Sequence, residues 1–155
     1  MIHPGVDEIL ASVIDAVEND IAPAAGGDEY AASLCRTVAQ MLRSVRVRVR
    51  DETASLAEDN AELRALLAGL PRRPGVPDEV LREVAAAVGR RPEPRYPALA
   101  ELQEDAVRLR SALVSVIDAL PDAADPVRVA ARDYLGRQLV RERAWQRDAF
   151  TGPRR

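Results

Sequence analysis

Lysine is absent from this sequence, histidine and cysteine each occur once, and the only aromatics are one Trp, three Tyr and one Phe. A single thiol, Cys35, leaves neither an internal disulfide nor a thiolate metal cluster. A lone His3 supplies no Glu-x-x-His pair and no HExxH, so the usual zinc and di-iron centres are excluded. Cys35 has no base within its segment and stands between Leu34 and Val38, so it reads as a buried structural thiol rather than a nucleophile. There is no GxxxxGK[ST] and no GxGxxG to cradle a phosphate. No stretch approaches the roughly 18 apolar residues of a membrane span. The opening MIHPGVDEIL lacks the basic segment and apolar run of a secretory signal, so a cytoplasmic location is expected. No metal or cofactor is expected. Catalysis would fall to carboxylates and arginines alone, which favours a non-enzymatic reading.

What the chain does contain is alanine, leucine, valine, glutamate and arginine, with 47% hydrophobic and 30% charged residues. That is the composition of packed amphipathic helices. At 155 residues it suffices for one core, giving one domain over residues 1–155 with its core at about 5–150. The formal charge of −3 gives no bulk attraction to nucleic acid or to an anionic membrane. All 22 basic residues are arginine, and so complete a replacement is read as codon bias before any preference for bidentate donors.

Periodicity predicts five helices in an all-α, antiparallel bundle. The first covers about Pro4 to Ile21, with Val6, Ile9, Leu10, Val13, Ile14, Val17 and Ile21 inward. Asp28 caps the second, which runs from Glu29 to Ala68 without Pro or Gly. Its stripe includes Leu34, Val38, Met41, Leu42, Val45, Val49, Leu56, Leu63, Leu66 and Leu67. An unbroken helix there would be about 60 Å long; a break near Asp51-Glu52-Thr53 is the alternative. The alternating Val45–Arg50 is not read as a strand, because helical pattern continues on both sides. Proline-rich connectors at 71–77 and 91–97 flank a third helix, Asp78 to about Val88, capped by Asp78. A fourth covers Pro97 to Leu120 and a fifth Pro126 to Phe150, the latter introduced by Asp125-Pro126.

The acids at Asp7/Glu8, Glu18/Asp20, Asp51/Glu52, Glu58/Asp59/Glu62 and Glu101/Glu104/Asp105 read as solvated helix faces. Asn60 reads as exposed, although at an inward position it would fix helix register. Tyr96 reads as a plug at the end of the bundle. The feature above background is a basic stripe of Arg36, Arg43, Arg46 and Arg50 on one side of the second helix. The residues four before Arg43 and Arg46 are Ala39 and Leu42, so the stripe is open to acids of another helix, to a partner chain or to an anionic ligand. On the fifth helix Arg137 and Arg141 lie near Trp145 and Phe150, the arginine–aromatic mixture of interface hot spots.

Asp7-Glu8-Ile9-Leu10-Ala11-Ser12-Val13, the Asp20-Ile21-Ala22-Pro23-Ala24 ending, and the helix carrying Tyr30 and Leu34 through Arg50 resemble a small family of uncharacterised bacterial helical proteins. Its members occur beside aminoglycoside-phosphotransferase-like kinases and acyl-CoA dehydrogenases. The resemblance covers residues 5–52 and implies an accessory module for a kinase-like or acyl-CoA enzyme. Two functions are therefore expected: a helical interaction protein, as a homodimer or with a partner enzyme, or a binder of an anionic or acyl, CoA-like ligand between helices. Neither involves nucleic acid.

Overall fold

The computed structural model describes residues 3–70, 76–92 and 95–149, with residues 144–149 described as helix only. The protein is all-α. Helix α1 (Val6–Ala16) runs into a π-helical turn (Val17–Ile21) and a last turn (Ala22–Ala24). Then follow α2 (Glu29–Ala68), α3 (Asp78–Gly89), α4 (Leu99–Ala119) and α5 (Pro126–Ala149). Among the described residues no helix is long and apolar enough to cross a membrane.

The ends of these helices follow from local chemistry. Asp28 Oδ1 accepts the N–H groups of Tyr30 (2.9 Å) and Ala31 (3.2 Å), satisfying two orphan donors of α2. Asp125 does the same for Val127 at 2.8 Å, with Pro126 in the first position of α5. Asp78, expected as a cap, is instead the first residue of α3, with Pro77 preceding it. Gly26 and Gly27 take φ of 63° and 88°, a left-handed turn closed to most side chains, between α1 and α2. Helix α2 is unbroken through Asp51-Glu52-Thr53.

The chain divides into two compact units, residues 1–52 with 142–155, and residues 53–141. They differ in how much they bury. The unit of residues 53–141 holds the core: Leu63 and Leu67 of α2, Val84 and Ala87 of α3, Leu109, Ala112, Leu113 and Val116 of α4, and Val127, Ala131 and Tyr134 of α5. These recur at the three- and four-residue spacing of one helix face. In the other unit the described residues bury only Ile14, Val17, Ala39 and Val47.

That contrast corrects part of the expected core. Val6, Ile9, Val13 and Ile21 of the first helix are exposed, as are Leu34, Val38, Met41, Val45 and Val49 of α2. Tyr96, expected to plug the bundle, is 83% exposed. Cys35 is half-buried and free, rather than a core thiol.

Candidate functional site

The basic stripe of α2 is already engaged. Arg43 meets Glu18 at 2.6 Å, and Arg46 forks onto Asp7, with Nε at 2.6 Å and a second nitrogen at 2.8 Å. Arg50 bonds its neighbour Asp51 at 2.8 Å. The fork of a planar guanidinium on a carboxylate is its strongest pairing. Arg46 holds the Asp7 carboxyl below the usual aspartate range. Arg36 is exposed and has no partner among the described residues. Thus the structure does not bring the four arginines together around an open space: two of them join α2 to the first helix.

The arginines of α5 are engaged as well, in the unit of residues 53–141. Arg137 Nε donates to Glu62 at 2.6 Å, and Arg141 reaches both Asp59 and Glu62 at 2.7 Å. Asp59 is buried, and it also accepts the Tyr134 hydroxyl and Arg110, each at 3.0 Å. Burial and the Asp59 carboxylate push the Tyr134 phenol well above the ordinary tyrosine range, so it remains a donor across physiological pH. Phe150 and the side chain of Trp145 lie outside the described residues.

A second buried network was missed by the sequence reading. Asp105, expected on a solvated face, is fully buried between Arg64 (2.6 and 2.7 Å) and Arg108 (3.1 Å). Arg64 also donates to the Val88 carbonyl at 3.2 Å and the Arg90 carbonyl at 2.9 Å, so one guanidinium ties α2 to α4 and to the carbonyl end of α3. Asn60 is buried too, correcting its expected exposure, and donates to the Leu102 carbonyl at 2.8 Å. A signal existed in the sequence. Asp59 and Asn60 stand four and three before Leu63, and Asp105 lies between Leu102 and Leu109, so all three occupy positions of an inward stripe. A cleft of about 400 Å³ lies beside Asn60, Arg64 and Asp105, floored by Ala57, Ala61 and Ala65. Arg64 and Asp105 pair with each other there, while Arg91 at its edge has no partner among the described residues and the buried Asn60 Oδ1 accepts no hydrogen bond.

Glu62 makes this pairing visible to pH. Burial opposes its ionisation, but the hydrogen bonds and charges of Arg137 and Arg141 outweigh that and hold the carboxyl below its ordinary value of 4.5. The folded state therefore has the lower pKa. The stability this pairing contributes is present above pH 4.5 and is lost as pH falls through the depressed value. Urea midpoints measured between about pH 6 and pH 3 should fall on the acid side. Glu62→Gln should lower the plateau and flatten that acid limb.

The described structure also leaves apolar surface uncovered. On α1, Val6, Ile9 and Val13 fall on one flank; Asp7 and Glu18, with their arginine partners, fall on the other. On α2, Leu34, Val38, Met41, Val45 and Val49 likewise lie away from Arg43, Arg46 and Arg50 by helical position. These eight side chains are between 42 and 63% exposed. Among the described residues no group of His, Cys, Asp or Glu is placed to hold a metal ion. No family model, curated protein or solved structure matches this chain.

Proposed function

We propose that this protein is a non-enzymatic helical interaction module, working through protein–protein contact as a homo-oligomer or as an accessory subunit. The observation that carries this reading is the uncovered apolar stripe of α2 from Leu34 to Val49. Scattered exposed valines are ordinary on a soluble protein; five large apolar side chains, Leu34, Val38, Met41, Val45 and Val49, in one helical stripe support an interaction surface. The ion pairs on the opposite flank support it, because they fix α2 to the first helix through its other side and leave the stripe uncovered. The ligand-binding reading draws less support. An anion at Arg43, Arg46 and Arg50 would have to displace Glu18, Asp7 and Asp51.

Photo-crosslinking in the protein's native cells tests the reading. A diazirine side chain at position 41 is expected to give a discrete protein adduct, and one at position 114 on α4 is expected to give none. Equal, diffuse labelling from both positions would contradict it.

A further inference from the structure

We infer that the cleft beside Asn60 is a binding site for a small, flat organic acid that carries an N–H or O–H donor as well as its carboxylate. This site is separate from the interaction surface proposed above and independent of it. It lies wholly in the unit of residues 53–141, past the end of the apolar stripe on α2.

One face of α2 makes the floor. Ala57, Ala61 and Ala65 follow one another at intervals of four, with Asn60 and Arg64 between them, so all five side chains share that face. Leu102 of α4 and the prolines Pro92 and Pro97 complete the apolar lining. Alanine leaves room on this face, whereas Leu63 and Leu67 fill the core on the next. Alanine methyls and proline rings are short and stiff, so they offer a flat ring apolar contact at little cost in side-chain entropy. The volume of about 400 Å³ stands at the lower end of the range for small-molecule sites, which fits a molecule of one or two rings and not a nucleotide cofactor.

Two polar groups at the cleft are unspent. Asn60 is only 2% exposed, and its Nδ2 donates to the Leu102 carbonyl at 2.8 Å, yet its Oδ1 accepts nothing. A buried acceptor without a donor is costly and rare in a native protein. The missing donor comes from whatever occupies the cleft that Asn60 lines. Oδ1 has almost no open surface of its own, but the amide torsion of an asparagine is soft, and a modest turn presents the oxygen to the cleft.

The second group is Arg91, an exposed guanidinium at the rim with no partner among the described residues. The charge beside it favours an anion. Arg64 and Arg91 line the cleft with a single carboxylate, Asp105, and Arg108 draws on that same carboxylate. Three of these four groups are cations. In the bound state Arg91 takes the ligand's carboxylate at the rim, the ring lies over the alanines, and the N–H or O–H points inward to Asn60. A neutral ligand would leave Arg91 unpaired, and an acid without a donor would leave Asn60 unpaired.

Titration of the full chain with indolylacetate, followed by the Asn60 side-chain amide signal in a nitrogen–proton correlation spectrum, is the test. A saturable shift is expected, with a dissociation constant on the order of 100 µM. The N-methyl derivative keeps the ring and the acid but lacks the donor, and should bind about tenfold more weakly. Arg91→Gln should weaken the parent acid about tenfold as well. Ala61→Leu fills the slot from an exposed position and should abolish binding with helicity unchanged; Ala65→Leu, also exposed, gives the same reading should the first fail to fold. Indolylacetate that leaves the Asn60 signal unmoved up to about 5 mM would overturn the proposal and leave Oδ1 to an ordered water. Binding indifferent to any one of the three changes would overturn it too. None of these outcomes bears on the apolar stripe of α2.

Discussion

Replacing Asp105 with alanine is expected to lower the unfolding free energy by about 3–5 kcal/mol, the range for removing one partner of a buried ion pair. For a chain of this size that corresponds to a fall in Tm of about 10 °C. The reason lies in what remains. Arg64 would keep its carbonyl bonds at the end of α3, but its charge would sit in the interior without a counter-ion. Arg108, more exposed, can turn toward water. Asp105→Leu combined with Arg64→Met should therefore recover part of the loss, because removing both charges of a buried pair is far less costly than removing one. Thermal unfolding of the two single variants and the double variant checks this. A double variant no better than Asp105→Leu alone would show that the carbonyl bonds of Arg64, and not its charge pairing, hold the joint.

Leu109→Ala is expected to cost about 2–5 kcal/mol, the sum of lost transfer energy and the cavity left behind. Leu109 is fully buried in the core that α2, α3, α4 and α5 build together. Two residues earlier on the same helix, Val107 is 66% exposed, and Val107→Ala should change stability by no more than about 0.5 kcal/mol. Urea titration of both variants compares them directly. Similar losses in the two would mean that α4 does not turn this face inward.

The helices themselves were legible because their signals are local. Asp28 and Asp125-Pro126 each announce a helix start within four residues. The absence of Pro and Gly from 29 to 68 left α2 nothing to break at. Burial was legible only in part, for a physical reason. An apolar stripe at helical spacing states that a face avoids water, but not whether the chain's own core or another molecule covers it. Leu63 and Leu67 face the core, whereas Leu34 and Val45 on the same helix do not. Asp59, Asn60 and Asp105 were assigned to the surface on residue type, since unpaired carboxylates are rarely buried. Their stripe positions carried the contrary signal, but a buried acid is tolerated only when an arginine from another helix reaches it. Arg64, Arg110 and Arg141 stand 41, 51 and 82 residues from the acids they meet. Nothing within a helical turn of an acid reports so distant a partner.

Oxidation of Met41 tests the central claim most directly. The thioether is 63% exposed on the described protein and lies in the middle of the apolar face. A brief peroxide pulse, read by mass spectrometry in lysate of the native cells across a roughly 1,000-fold dilution, follows its accessibility as association is reversed by mass action. If the face is a contact surface, Met41 is protected in the concentrated lysate and oxidises several-fold faster on dilution. Met41 oxidising at the rate of an open methionine at every dilution would contradict it.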